Sequence, residues 1–448
     1  TVVKVLGQVL LSRLETWASD RGILSPFQFG FRPGLSTTDQ GLNLALIINK
    51  YIKARGETLF LGFMDLSSAF DRVNRSKLWV ILEHMGVDST LVRLLKDLHG
   101  PMAAMVRLDN NGGCSRVFKL DRGVRQGCIM APFLFTLYTN ALGESLIDVG
   151  TDSPRAGSLR LPILLYADDA VLISRTHRGL QALLNSYASF MSNLDLNINC
   201  GKSHTMSLGR GKCKKSNLIN SKAFFCQGIK LIDVPSFVYL GLTFDSRSTW
   251  GPLIANKKLL LTKTVGAVLG FCQKLGKRPL KSLGILYRAK CVSSVLYGAE
   301  IWGHVPCPDI QTRENKFLRS LLMLPQSSAT FSIHEELGIH YISDLIALRP
   351  LIYWLKLWIR EEPELTRTIV SDCLSLAHVG RMPWLNYIKE EFRSLGRPDL
   401  FSTPSNIHAG DIAWVKNQFL LNKQATRESL ALSKPLVRAH LWLSSGQG

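Results

Sequence analysis

Three aspartates carry most of the chemical information in this sequence. Asp168 and Asp169 stand side by side within "LPILLYADDAVLISR" (Leu161 to Arg175), a stretch that is otherwise almost wholly apolar, and Asp65 closes a second apolar run, "TLFLGFMDL", residues 58 to 66. Singly, each has an ordinary explanation: Asp suits tight turns, and Asp65 would serve as an N-cap. As a set they need a cation, because unneutralised carboxylates in apolar surroundings cost several kcal/mol. No Lys or Arg lies close in either run, so a divalent metal is the economical partner, and an all-oxygen carboxylate set suits Mg²⁺. Two such ions about 3.5 to 4 Å apart would activate an attacking oxygen and steady a leaving one during phosphoryl transfer.

That chemistry requires elements that bring the acids together. Residues 58 to 66 have the length of a buried strand, followed at once by an amphipathic helix over about 68 to 85, so Asp65 is expected at a strand end. Residues 161 to 167 and 170 to 174 read as two strands joined by a tight turn that holds Asp168 and Asp169, and 178 to 194 as a core-facing helix. Around these, a helix is expected near 39 to 54 and another near 88 to 99. A hairpin is expected over 102 to 120, turning at "DNNGG", then a long apolar helix over about 130 to 147 and a short hairpin at "FVYLGLTFD", 237 to 245. From about 251 onward the pattern is helical, and the last 120 or so residues are rich in Trp (354, 358, 384, 414, 442).

The 448 residues, 46% hydrophobic and 20% charged, describe a globular chain of two or three packed units rather than a disordered one. The nine cysteines are scattered, without metal-knuckle spacing, which fits a reducing, intracellular compartment. No apolar stretch reaches the roughly 18 to 20 residues of a membrane span. The opening inside a helical pattern suggests a piece of a longer polypeptide. The net charge of +20 is concentrated: residues 196 to 299 hold seventeen Lys or Arg against Asp233 and Asp245 alone. A cationic segment this long and one-sided points to a polyanion, since each neutralised phosphate releases counterions. "HEELG" (His334 to Gly338) lacks the second His of a zinc protease motif.

Five stretches in order then carry a resemblance. "QFGFRPGLSTTDQ" (Gln28 to Gln40), "FMDLSSAFDRVNRSKLW" (Phe63 to Trp79), "GVRQGCIMAPFLFTLYTNAL" (Gly123 to Leu142), "YADD" (Tyr166 to Asp169) and "YLG" (Tyr239 to Gly241) together resemble the reverse transcriptases of non-LTR (LINE-type) retrotransposons. The likeness covers roughly residues 5 to 325. It implies an α+β fold with a right-hand polymerase palm built on an antiparallel sheet, then a helical thumb and a helical C-terminal region. The corresponding divisions are 1–245 for fingers and palm, 246–328 for a basic thumb and 329–448 for a segment without assigned role.

The resemblance also implies roles residue by residue. Asp65 and Asp168 would bind two Mg²⁺ ions, with Mn²⁺ as the substitute ion, assisted by Asp169 and the carbonyl of Leu66. Lys202 would protonate departing pyrophosphate. Leu66, Ser67, Ser68, Ala69, Phe70, Gln126 and Gly127 would line the nucleotide site, with Phe70 packed against the position of a ribose 2′-hydroxyl so that the product is DNA. Arg32, Arg125, Tyr239, Leu240, Gly241, Lys257, Lys258 and Lys263 would contact template and primer. Expected partners are an RNA template, a DNA primer or target DNA and dNTPs, with a nuclease elsewhere in the full polypeptide and a nuclear or cytoplasmic ribonucleoprotein location. The chain departs from the family pattern at Ile129, Met130 and Ala131, where Pro-Leu-Ser is usual, and at Leu35, where Arg is usual. A catalytically silent RNA-binding remnant, or a relative such as an intron maturase, stays open on sequence alone.

Overall fold

Strand Leu59–Met64 is buried along its whole length, as its unbroken apolar run requires for a strand covered on both faces. In the computed structural model, residues 2–432 are described apart from 101, 108–112, 126, 151, 210–222, 276–279, 362–363 and 378–380. Leu59–Met64 is the middle of a five-stranded sheet. Asp169–Ser174 and Ile163–Tyr166 lie to one side, and His204–Leu208 and Ile232–Asp233 to the other. Every pairing is antiparallel except that of Ile232–Asp233 with His204–Leu208. Helix His177–Asn193 covers one face: Gly62 on the central strand leaves room for Leu180 and Leu184, which a Cβ there would meet at 3.4 and 3.5 Å. On the central strand Phe63 stacks on Phe237, ring centroids 4.2 Å apart.

The described residues form two compact units, one made of those in 1–240 with Glu364–Asp372, the other of those in 241–363 with 373–448. The first is the α+β unit and holds the sheet. The second is almost wholly helical, beginning after strand Leu242–Asp245 with the 25-residue helix Gly251–Leu275. Its interior is built on Trp302, Trp354 and Trp384, all but fully buried. Trp354 stacks on Phe401 at 5.0 Å and donates to the Leu400 carbonyl, while Trp384 donates to the Glu300 carbonyl at 2.8 Å. The Trp-rich segment is thus a packed core in which the indole N–H groups of Trp354 and Trp384 are satisfied and those of Trp302 and Trp358 are buried without a partner among the described residues. Among the described residues no helix is long and apolar enough to cross a membrane.

Two expected helices are interrupted, each for a local reason. The helix expected over 68 to 85 forms as Ala69–Arg72 and Arg75–His84, because Asn74 leaves the helical path and caps the second piece by accepting from the Lys77 N–H. The helix expected over 130 to 147 stops at Tyr138 and resumes at Leu142. Between them the Asn140 side chain accepts from the Ser25 N–H and donates to the Ile23 carbonyl, tying the break to the loop that precedes Phe27. The helix expected near 39 to 54 runs Thr37–Ile48 from a Ser36–Asp39 capping box and continues as a π-helical turn to Ala54. The hairpin expected over 102 to 120 pairs Met102–Ala104 with Phe118–Leu120; residues 109 to 112 of its turn, like Trp442, lie outside the described residues.

Removing the indole from the second unit should be costly. Trp384→Ala is expected to lower stability by about 3 to 5 kcal/mol, read as a shift of the urea unfolding midpoint. A shift equivalent to less than about 1 kcal/mol would mean the site collapses around the loss.

Candidate active site

Strand register brings the three aspartates to one end of the sheet. Met64 on the central strand pairs with Ala170, and one step further along the same register lie Asp65 and Asp169. Tyr166 pairs with Asp169 in the neighbouring ladder, so Ala167 and Asp168 form a two-residue turn between them. Asp65 is held from behind. Its N–H donates to Ser203 Oγ at 3.1 Å, its carbonyl accepts from the Asn199 N–H at 2.8 Å, and Ser67 N–H donates to the Asn197 carbonyl at 2.9 Å. These bonds flank Leu66, which bridges Ile198, and engage the carbonyls of Asp65 and Asn197 rather than that of Leu66.

The turn is held with equal care. Ala167 has φ of 57°, a left-handed conformation in which an Ala has no side-chain support. The carboxamide of Gln28, 1% exposed, bonds both of its peptide groups. Ala167 N–H donates to Gln28 Oε1 at 2.9 Å, and Gln28 Nε2 donates to the Ala167 carbonyl at 3.2 Å. Gly30 N–H donates to the same Oε1 at 2.8 Å, and a Cβ on Gly30 would fall 2.1 Å from the Ala167 nitrogen. The loop itself is added to the sheet edge through Phe29 N–H to Leu165 and Leu165 N–H to Phe27. Gln40, buried in helix Thr37–Ile48, donates to the carbonyls of both Phe27 and Leu165.

Electrostatics follow from this crowding. Loss of hydration pushes the Asp169 carboxyl up to about 6, with the charges of Asp168 and Asp65 adding to it. Asp168 is also raised, by loss of hydration first and then by Asp65, against a lowering backbone hydrogen bond. Asp169 remains open to solvent on one side, so water screens part of this repulsion. Among the described residues none of the three acids is in an ion pair, and no three His, Cys, Asp or Glu side chains are gathered into a closed ligand set. The fit to divalent ions therefore rests on backbone placement and on the mutual repulsion of oxygen donors that a 2+ charge would relieve.

The remaining expected residues fall into several places. Phe70, five residues past Asp65, packs against Phe135 at 4.8 Å and Phe31 at 6.1 Å. Ser68 is exposed, in a left-handed conformation at φ 50°, and starts the short helix in which Ala69 is buried. The Gly123 segment runs alongside: Val124 N–H donates to the Phe70 carbonyl, and a Cβ on Gly123, φ 87°, would crowd Asp71 backbone at 2.9 Å. Gly127, φ 75°, and Arg125 are exposed on that loop, whereas Gln126 lies outside the described residues. Lys202 is exposed beside Ser203, with its N–H on the Asn199 side chain. Arg32 turns into its own loop, donating to the carbonyls of Ser25 and Gln28.

Tyr239 is 3% exposed, its ring 6.1 Å from that of Phe63, and burial, then the charge of Asp169, push its phenol well up. Leu240 and Gly241 are both left-handed, φ 47° and 74°, and the boundary between the units falls between them. In the second unit, Lys263 is exposed and Lys258 pairs with Asp309 at 2.7 Å. Lys257 turns inward: it is 6% exposed, donates to the Ser294 carbonyl at 3.1 Å and lies 5.1 Å from the Tyr297 ring centroid, and loss of hydration lowers it to about 8. Gln28, Gly30, Gln40 and Ser203 were not singled out in sequence. The one available signal was polar amides at positions inside otherwise apolar patterns.

Residues 1–244 match the family model described as "Reverse transcriptase (RNA-dependent DNA polymerase)". Among relatives, the chain is 26% identical over 367 residues to the "Probable RNA-directed DNA polymerase from transposon BS" of Drosophila melanogaster, covering 77% of this chain and 38% of that protein. It is 26% identical over 306 residues to the "Retrovirus-related Pol polyprotein from type-1 retrotransposable element R2" of Popillia japonica, covering 66% and 40%. The chain thus spans about two fifths of the length of these curated relatives. A solved structure of telomerase from Candida albicans is similar at a TM-score of 0.41 and 12% identity, over 93% of this chain and 58% of that one.

Because the Asp169 carboxyl takes up its proton more readily folded, at about 6, than at the usual 3.8, its ionisation opposes folding, and this contribution to stability falls as pH rises through that window. Asp169→Asn should therefore raise the Tm of the ion-free protein at pH 7.5, and the gain should shrink as the pH is lowered towards 4. A gain that does not depend on pH would contradict the assigned repulsion.

Proposed function

The chain belongs to the reverse transcriptase (RNA-dependent DNA polymerase) family, and from that membership we propose that it extends a DNA primer on an RNA template by nucleotidyl transfer at the Asp65–Asp168–Asp169 end of the sheet. The observation that carries the reading is the strand register that continues from Met64–Ala170 to Asp65 and Asp169, with Asp168 in the adjoining turn. Divalent metal ions are general to the family. Two Mg²⁺ ions, with Mn²⁺ able to substitute, would be held by Asp65 and Asp168 with Asp169 and the Leu66 carbonyl beside them, supplying activation of the primer 3′-hydroxyl and charge neutralisation at the triphosphate.

The protein's own part is placement. Ser203 and Asn199 fix the peptide groups around Asp65, so its carboxylate needs little reorganisation as charge develops. Phe70, backed by Phe135, would lie under the sugar and reject a 2′-hydroxyl by contact. Gly127 lets the backbone approach the nucleotide where a side chain would intrude. Lys202 would supply a proton to departing pyrophosphate. Arg125, Tyr239, Leu240 and Gly241 would contact template and primer, and exposed Lys263 with the Lys258–Asp309 pair would face the duplex backbone; buried Lys257 is left out of that face. Arg32 serves the template side only through the loop it braces.

In this reading 1–245 is fingers and palm, 246–328 the thumb and 329–448 a helical C-terminal segment. The full polypeptide would carry a nuclease, act from a ribonucleoprotein in nucleus or cytoplasm, and copy its RNA at a primer in target DNA. The silent-remnant alternative is not favoured, because all three acids are kept at the sheet end.

The test is extension of oligo(dT) on poly(rA) with dTTP and Mg²⁺. Wild type should incorporate, and Asp168→Asn should fall to background while binding the duplex within about twofold of wild type; incorporation retained by the variant would overturn the assignment. Phe70→Ala should relax discrimination against ribonucleotides by at least about 10-fold, measured as the ratio of kcat/KM for dNTP and rNTP, and an unchanged ratio would place sugar selection elsewhere.

A further inference from the structure

The first residue of the turn that presents Asp168 has no side chain that would choose its conformation. Left-handed backbone is ordinarily occupied by Gly, Asn or Asp, but here the residue at φ 57° is Ala167, which brings neither freedom nor a side-chain hydrogen bond. The conformation must be imposed from outside. Gln28 supplies the contacts that do so: its Oε1 accepts from the Ala167 N–H, which belongs to the peptide between Tyr166 and Ala167, and its Nε2 donates to the Ala167 carbonyl, which belongs to the peptide between Ala167 and Asp168. Fixing both peptide planes fixes φ and ψ of Ala167 together, and the second plane carries Asp168 directly.

We propose that Gln28 is a positioning residue for nucleotidyl transfer, its carboxamide holding the Ala167–Asp168 turn in the geometry that aims Asp168 at the ions shared with Asp65. This rests on the polymerase reading above. The clamp is rigid because Gln28 is itself held. Its backbone bridges Leu165, its carbonyl accepts from Arg32, and its Oε1 takes a second bond from the Gly30 N–H, with Gly30 so close to Ala167 that no side chain would fit. At 1% exposure, water cannot substitute for the carboxamide if it is removed. A metal-binding carboxylate whose supporting contact is lost commonly loses about 10- to 100-fold in metal affinity or activity.

The experiment compares wild type with Gln28→Met, which keeps length and loses every hydrogen bond, and with Gln28→Glu, which retains the two accepted bonds and, when ionised, loses the donated one. Binding of Mn²⁺ is followed directly by the loss of the free-ion electron paramagnetic resonance signal, and poly(rA)/oligo(dT) extension is followed as kcat and KM per folded molecule. Gln28→Met should weaken Mn²⁺ binding and lower kcat by about 10-fold or more each, with KM for dTTP and duplex affinity within about twofold, and Gln28→Glu should fall between. A residue that only supports packing would lower Tm and leave the Mn²⁺ affinity of folded molecules unchanged, which would overturn the proposal, as would unchanged kcat. If Gln28→Met does not fold, the same comparison on Gln28→Glu decides. A wild type that binds Mn²⁺ in a Gln28-dependent way and yet extends no primer would defeat the polymerase reading and leave the clamp standing.

Discussion

Like charges gathered at one end of a buried sheet are the constraint on which the first unit is organised. Asp168 and Asp169 are adjacent in sequence, Asp65 is brought beside them by register, and beyond loss of hydration its charge strengthens the hold of both on protons, as that of Asp168 does for Asp169. The raised pair of Asp168 and Asp169 lowers stability unless something of opposite sign is shared with it. The fold contributes rigidity in return. The central strand that ends at Asp65 is buried throughout, and the two peptide groups around Ala167 are pinned by a carboxamide from a distant loop.

Rigidity here comes from polar contacts inside an apolar setting. Gln28, Gln40 and Asn43 are all essentially inaccessible, and Asn43 donates to Gln40, which in turn holds the Phe27 and Leu165 carbonyls. Unpairing the Gln28 or Gln40 amide would be costly, which favours the one arrangement in which both are bonded, although the Asn43 Oδ1 is buried without a partner among the described residues. Such bracing suits a site in which a displacement of about 1 Å can cost a hundredfold in rate. The loop from Phe27 to Arg32 is therefore as much part of the catalytic end of the sheet as the strands that carry the acids.

Much of this is legible in the sequence. The apolar runs around Asp65 and Asp168 became strands Leu59–Met64, Ile163–Tyr166 and Asp169–Ser174, and the Leu-rich stretch after Thr176 became helix His177–Asn193, because burial on both faces or one dictates those patterns. What stayed hidden depended on partners far away in sequence. Asn140 interrupts an apolar helix only because Ser25 and Ile23 claim its side chain, and Gln28 reaches across 139 residues to Ala167. Lys257 and Lys258 are neighbours in a cationic helix, yet one is buried against Ser294 and the other pairs with Asp309 at the surface. Composition counts such residues alike, and packing separates them.

The central claim is that Asp65 and the Ala167–Asp168 turn share divalent ions. Anomalous diffraction from crystals grown with Mn²⁺, a primer–template duplex and a non-hydrolysable dNTP tests it most directly. Two manganese peaks between the carboxylates of Asp65 and Asp168, with the Leu66 carbonyl among the ligands of one, are the predicted result. Ordered duplex and nucleotide with no manganese density at those carboxylates would contradict it.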